Sequence, residues 1–195
     1  MDKVLLALGS NHGQDVRDWR EYVGEDFPNW KIFAFEPIDM PFKSMYNNVE
    51  LIRKAAWTYD GEIDLYVDKK WRKLGTTIWK RPAKNINQTA VKYPCIDLSK
   101  FIAPLFGSHI VCKMNIEGSE YPLIQHLMDT GFFNYINYFY IAWHVNKGAV
   151  TQEFHDKFEA KMRYECSFHD KYAILKDPCR TNMFFSAEVI HNGKT

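Results

Sequence analysis

Val4-Leu5-Leu6-Ala7-Leu8-Gly9-Ser10-Asn11-His12-Gly13 is the stretch that decides the fold. Five apolar residues in succession, without the polar alternation of a half-exposed strand, predict a β-strand buried on both faces. Such a strand needs a layer packed on each side. Gly9 and Gly13 permit the tight turn that ends it and a close approach of a ligand to the backbone. A helix should follow, because Val16, Trp19 and Val23 fall at helical spacing and Asp15 stands near the positive end of its dipole.

Outward from that unit, short apolar runs and amphipathic segments take turns, the pattern of strands and helices around a mostly parallel sheet. The fold class expected is therefore α/β. Ile32–Phe35 predicts the second strand, closed by Glu36 and Pro37. Pro41 suits the first turn of a helix carrying Phe42, Met45, Tyr46 and Val49 on one face, and Leu51–Ala56 a third strand. Residues 57–97 read as a β-rich insertion, since Ile63, Leu65 and Val67 alternate with polar residues and Thr76–Trp79 is β-prone. Ile110–Met114 resumes the parallel order. It leads to a helix with Pro122 in its first turn and Gly131 beyond its end. Tyr138–Trp143 is the next strand and Thr151–Met162 the next helix, while Tyr164–Ile190 reads as antiparallel edge strands. No repeat or linker interrupts residues 1–195, which are expected to form a single domain.

Composition excludes several classes. With 195 residues, 46% hydrophobic and 16% aromatic, the chain has ample apolar surface to fold. Twenty-five Lys and Arg against 24 Asp and Glu leave a formal charge of +1, so no global field draws it to nucleic acid or anionic lipid. No window approaches a membrane span, and the apolar run at the N-terminus is too short for a signal-peptide core. Cys95, Cys112, Cys166 and Cys179 lack zinc-site spacing and are sparse for a disulfide scaffold, which predicts reduced thiols in a cytoplasmic protein. The histidines share no ligand spacing, so no metal is assigned.

In such a sheet, ligands bind beyond the carboxyl ends of the strands, where strand order reverses. The glycine turn lies there after the first strand and Glu36 after the second. An acid at that place can accept hydrogen bonds from both hydroxyls of a ribose. The middle glycine of a dinucleotide fingerprint is missing, with Asn11 in the turn, so a nucleoside without pyrophosphate fits better.

Five segments in order, Leu8–Gly13, Ala34–Pro37, Lys54–Ala56 with Asp60-Gly61, Cys95–Leu98 and Lys113–Glu120, resemble those of FkbM-type methyltransferases, a family of class I S-adenosylmethionine-dependent enzymes. The resemblance spans about residues 4–145 and is most specific at Lys113–Glu120. It implies a Rossmann-like three-layer sandwich and methylation of a hydroxyl. It further implies that Gly9, Ser10, Asn11 and Gly13 line the methionine half of S-adenosylmethionine, that Glu36 with Pro37 holds the ribose, and that Ala55 or Ala56 borders the adenine. Asn115 and Glu117 would face the reaction centre. Two positions depart from the family: Ala7 and Asn115 stand where acids are usual, and each change removes negative charge near the cofactor's cationic end.

The chemistry expected is attack by an acceptor oxygen on a sulfonium methyl group. Positioning dominates it, and a base for the hydroxyl proton adds roughly 10²- to 10⁴-fold. Glu117 and His144 are the two titratable candidates, with His144 favoured because imidazole titrates near neutral pH. Their structural alternatives are a strand-end hydrogen bond for His144 and helix-dipole stabilisation for Glu117 and Glu120. The expected acceptor is a hydroxyl-bearing small molecule or glycan. Lys69, Lys70, Arg72, Lys73, Lys80, Arg81 and Lys84, interleaved with Trp71 and Trp79, form either an anion-binding patch or a solvated edge. No segment ahead of Val4 is expected to cover the site, which leaves the insertion, the C-terminal strands or a second subunit of an oligomer. Two further functions stay open: an interaction module on an impaired methyltransferase scaffold, and a nucleic-acid methyltransferase.

Overall fold

The computed structural model describes residues 1–68, 76–80, 88–145, 150–168 and 172–176. Six strands form the main sheet: β1 (Lys3–Leu8), β2 (Trp30–Phe35), β3 (Val49–Ile52), β7 (His109–Met114), β8 (Tyr138–Ala142) and β9 (Tyr172–Lys176). Their order is β3-β2-β1-β7-β8-β9 and every pairing is parallel. The order reverses between β1 and β7, so the loops that follow the two strands leave to opposite faces of the sheet and open a crevice beyond the strand ends.

β1 shows why the sheet needs two covering layers. Val4, Leu6 and Leu8 pack on one face with α2 (Leu98–Ile102), α3 (Glu120–Asp129) and α4 (Gln152–Phe168). Leu5 and Ala7 pack on the other with Val16 and Trp19 of α1 (Gln14–Val23). Leu5, Leu6 and Leu8 are fully buried, and each stabilises by about 1.5–3 kcal/mol relative to an exposed side chain. The three-layer α/β sandwich follows from this two-sided burial.

A second sheet of three strands, β4 (Ala55–Trp57), β5 (Gly61–Asp68) and β6 (Gln88–Asp97), runs in the order β4-β6-β5. β5 and β6 are antiparallel, from Gly61 opposite Cys95 to Asp68 opposite Gln88. The alternation read from the sequence orients it: Ile63, Leu65 and Val67 are buried against Ile38, Met40 and Cys95. This sheet covers one side of the crevice.

Three expectations are corrected. No helix forms at Pro41–Val49. That segment is held by contacts outside itself, Lys43 N donating to His12 O and Ser44 Oγ to Gly13 O, while Arg53 fixes the residues just before it through the carbonyls of Ile38 (2.7 Å) and Met40 (2.8 Å). Met45, expected on the buried face, is 64% exposed. The third strand divides, since β3 ends at Ile52 and Ala55 and Ala56 join the second sheet. Residues 164–168 continue α4, and β9 pairs parallel with β8, so the antiparallel edge expected there is absent among the described residues. The remainder of the expected edge, residues 177–190, lies outside them. No helix among the described residues is long and apolar enough to cross a membrane.

Candidate functional site

A cleft opens beyond the carboxyl ends of β1, β2 and β7. Its walls are Gly9 and Asn11 after β1, Glu36, Pro37, Ile38 and Met40 after β2, Asn115–Glu117 after β7, and Ala55, Ala56, Leu65 and Ile78 from the second sheet. Its volume is about 120 Å³, below the ~300–1,000 Å³ of sites that enclose a drug-sized ligand.

The glycine turn is built into the sheet. Gly9 N and Ser10 N both donate to Phe35 O at 3.0 Å. Gly9 has φ 78°, and a Cβ there would strike the backbone carbonyl of Asn115. Its missing side chain thus makes room for the neighbouring strand end, where the sequence had suggested room for a ligand. Ser10 turns away from the cleft, its hydroxyl donating to Ala7 O at 2.9 Å and Asp15 at 3.2 Å. Gly13 also stays off the cleft wall, because it starts α1 in a left-handed conformation against Ser44.

Glu36 is 6% exposed yet borders the cleft. Asn11 N donates to its Oε2 at 2.8 Å and Ile38 N to its Oε1 at 2.9 Å. Burial pushes the Glu36 carboxyl above its ordinary range, against the pull of the two amides. Asn11 has φ 49°, and its Oδ1 is buried without a hydrogen-bond partner. Glu36 therefore brings a carboxylate to the cleft, and the adjoining turn holds the buried, unsatisfied Asn11 Oδ1, both acceptors.

Residues 115–120 form the opposite wall. Glu117 (φ 59°) and Gly118 (φ 101°) are both left-handed, a backbone cost of order 1–3 kcal/mol at the non-glycine position. Glu120 holds the turn in that shape. Its fully buried carboxylate accepts from Ile116 N at 3.0 Å, Gly118 N at 2.8 Å and His144 Nδ1 at 2.8 Å. Thr77 Oγ1 donates to Glu117 O at 2.5 Å and Trp79 Nε1 to Gly118 O at 3.0 Å, fastening the second sheet's loop to the turn. Glu117 lines the cleft, whereas His144 stands behind it, with Nε2 3.7 Å from Glu117 Oε1. The two candidate bases are adjacent, and Glu117 is the one that borders the open space.

Beneath the glycine turn lies a buried ion pair that sequence reasoning missed. Lys113 Nζ meets Asp15 Oδ2 at 2.9 Å, with the two side chains 3% and 4% exposed. Lys113 is the register partner of Ala7, so a cation stands beside the position where the family resemblance expects an acid. The signal was present: a lysine inside the run Ile110–Met114 must be paired if the strand is buried. Asp97, from the Cys95–Leu98 segment, caps α2 through Ser99 N at 3.0 Å and accepts from His126 Nε2 at 2.9 Å, so its duty is structural.

Among the described residues, no cluster of three His, Cys, Asp or Glu side chains is placed to hold a metal ion. Of the basic insertion, Trp79 and Lys80 are described; Lys69, Lys70, Trp71, Arg72, Lys73, Arg81 and Lys84 lie outside the described residues. Comparison of the chain with models of known protein families, with curated proteins and with solved structures finds no match.

Proposed function

We propose that the protein is an S-adenosylmethionine-dependent methyltransferase, acting on a hydroxyl of a small molecule or glycan, in the cytoplasm. One observation carries this reading. Among the described residues, the cleft at the strand-order reversal is lined by two carboxylates, Glu36 and Glu117, and by no cationic side chain. A pyrophosphate cofactor would meet repulsion there, while a sulfonium nucleoside brings hydroxyl donors and positive charge. Glu36 and the unsatisfied Asn11 Oδ1 suit those donors.

Glu36 would hold the ribose, Asn11 would accept from a donor group of the methionine half, and Ala55 and Ala56 would border the adenine. When bound, the sulfonium supplies the electrophilic methyl group. The chain's own work is to orient the acceptor oxygen and to remove its proton, for which Glu117 and His144 are placed. A ligand of nucleoside size needs more room than the cleft now offers. The wall that would have to move is residues 76–80, held by the Tyr66–Thr77 bridge to β5 and by the Thr77 and Trp79 hydrogen bonds to the carbonyls of Glu117 and Gly118.

A second reading keeps the fold and drops turnover. Ala7 carries no carboxylate to attract the cofactor's cationic end, and its register partner Lys113 is paired with Asp15, which favours an interaction module with a weakened site. Calorimetric titration with S-adenosylhomocysteine separates the two. The methyltransferase reading predicts saturable binding by the wild type and at least tenfold weaker binding by Glu36→Ala. Absence of binding by the wild type would favour the second reading, and equal binding by both proteins would refute the assignment of Glu36.

A further inference from the structure

The row Glu117, His144, Glu120 runs from the cleft wall to a carboxylate with no exposure at all. Backbone amides only donate, so the two that reach Glu120, from Ile116 and Gly118, consume acceptor sites on both of its oxygens. What remains at Oε1 faces His144 Nδ1 at 2.8 Å. A hydrogen bond there places the imidazole hydrogen on Nδ1, and in the neutral ring that leaves Nε2 as an acceptor. Nε2 lies 3.7 Å from Glu117 Oε1, so a shift of about 0.5 Å brings the two to hydrogen-bonding length. The side chain is 7% exposed, and so is screened little by water.

We propose that these three side chains form a proton relay in which Glu120 is the positioning residue, Glu117 meets the acceptor, and His144 Nε2 takes the proton. The inference rests on the methyltransferase reading for the source of that proton, an acceptor hydroxyl. The O–H bond breaks with its electron pair left on the acceptor oxygen, and Glu117 gains the proton. Glu117 then passes it to Nε2, where a new N–H bond forms. The resulting imidazolium lies between Glu120 and the restored Glu117 carboxylate, opposite charges on both sides. The arrangement has the logic of a base oriented by a buried acid, with a second carboxylate at the mouth. It also explains the left-handed backbone at Glu117. The same turn that delivers the Ile116 and Gly118 amides to Glu120 carries Glu117 against the cleft.

The test is nitrogen NMR of the histidine rings in ligand-free protein, with the His144 signals assigned by their loss in His144→Gln. The relay predicts a neutral His144 carrying its hydrogen on Nδ1 in the wild type and in Glu117→Gln. In Glu120→Gln that preference should vanish, because a side-chain amide can both donate and accept. In turnover assays, Glu120→Gln and Glu117→Gln should each lower kcat by roughly 10²-fold or more with KM for the methyl donor little changed. A wild-type His144 protonated on Nε2 overturns the proposal even if Glu120→Gln does not fold. So does an unaltered tautomer or kcat in a folded Glu120→Gln. Because the NMR arm needs no ligand, failure of S-adenosylhomocysteine to bind would refute the methyltransferase reading separately from the tautomer.

Discussion

Replacing Asp15 by Asn leaves the volume beneath the glycine turn intact and removes one charge. The structure sets the size of the effect. Lys113 Nζ and Asp15 Oδ2 are 2.9 Å apart and both side chains are almost wholly buried, so at an effective dielectric of about 20 their attraction is about 6 kcal/mol. Desolvating two ions costs several kcal/mol each, so the intact pair adds little net stability. Its rupture, by contrast, takes the Asp15 charge away from a buried ammonium, at a cost of about 3–5 kcal/mol. For a chain of this size, each kcal/mol moves Tm by about 2–4 °C, which puts Asp15→Asn roughly 6–20 °C below the wild type. Asp15→Leu combined with Lys113→Met removes both charges and should return to within about 1–2 kcal/mol of the wild type. Urea unfolding of Asp15→Leu, Lys113→Met and the double variant gives the coupling directly. If Asp15→Asn costs less than about 1 kcal/mol, or if the double variant loses the sum of the singles, the pair is not the buried, mutually dependent unit described here.

Other consequences are checked more simply. Gly9→Ala should destabilise by well over 1 kcal/mol by thermal unfolding and abolish ligand binding, because its Cβ meets the Asn115 carbonyl and its φ is 78°; a wild-type Tm would contradict the packing of the two strand ends. Asp26, held down to about 2 by hydrogen bonds from Asn29, Lys3 and Trp30, contributes stability above its ordinary value of 3.8, which is lost as the pH falls through about 2. Asp26→Asn should therefore flatten the acid limb of a Tm-against-pH curve between about pH 4 and 2. An unchanged limb would refute that pairing. Trp79→Phe removes the indole donor to Gly118 O and should cost about 1 kcal/mol while loosening the turn that carries Glu117. Amide exchange at Gly118 as slow as in the wild type would count against that clamp.

Much of the fold was legible because burial on two faces leaves a plain mark. Val4–Leu8 and Ile110–Met114 could only be central strands, and the alternation of Ile63, Leu65 and Val67 marked the second sheet. Pro41–Val49 misled because its apolar spacing matched a helix, while the contacts that hold it extended, from His12 and Gly13, come from elsewhere in the chain. β9 could not be foreseen as parallel from its own residues, since strand direction is fixed by the crossover through α4. At the site, sequence position brought Gly9, Asn11, Glu36, Pro37, Ala55, Ala56, Asn115 and Glu117 to one cleft. It could not show that Ser10 turns toward Asp15, that Glu120 orients His144, or that Lys113 lies under the turn. Those are pairings across strands and helices, invisible to local spacing.

The Glu36 carboxylate is proposed to grip the sugar of an adenosine-bearing methyl donor in the cleft beyond the ends of β1, β2 and β7. A crystal structure of the protein soaked with S-adenosylhomocysteine should show ribose hydroxyls within hydrogen-bonding distance of Glu36, with the adenine against Ala55 or Ala56 and residues 76–80 displaced outward. Ligand density at another place, or an undisturbed cleft at saturating ligand, would contradict it.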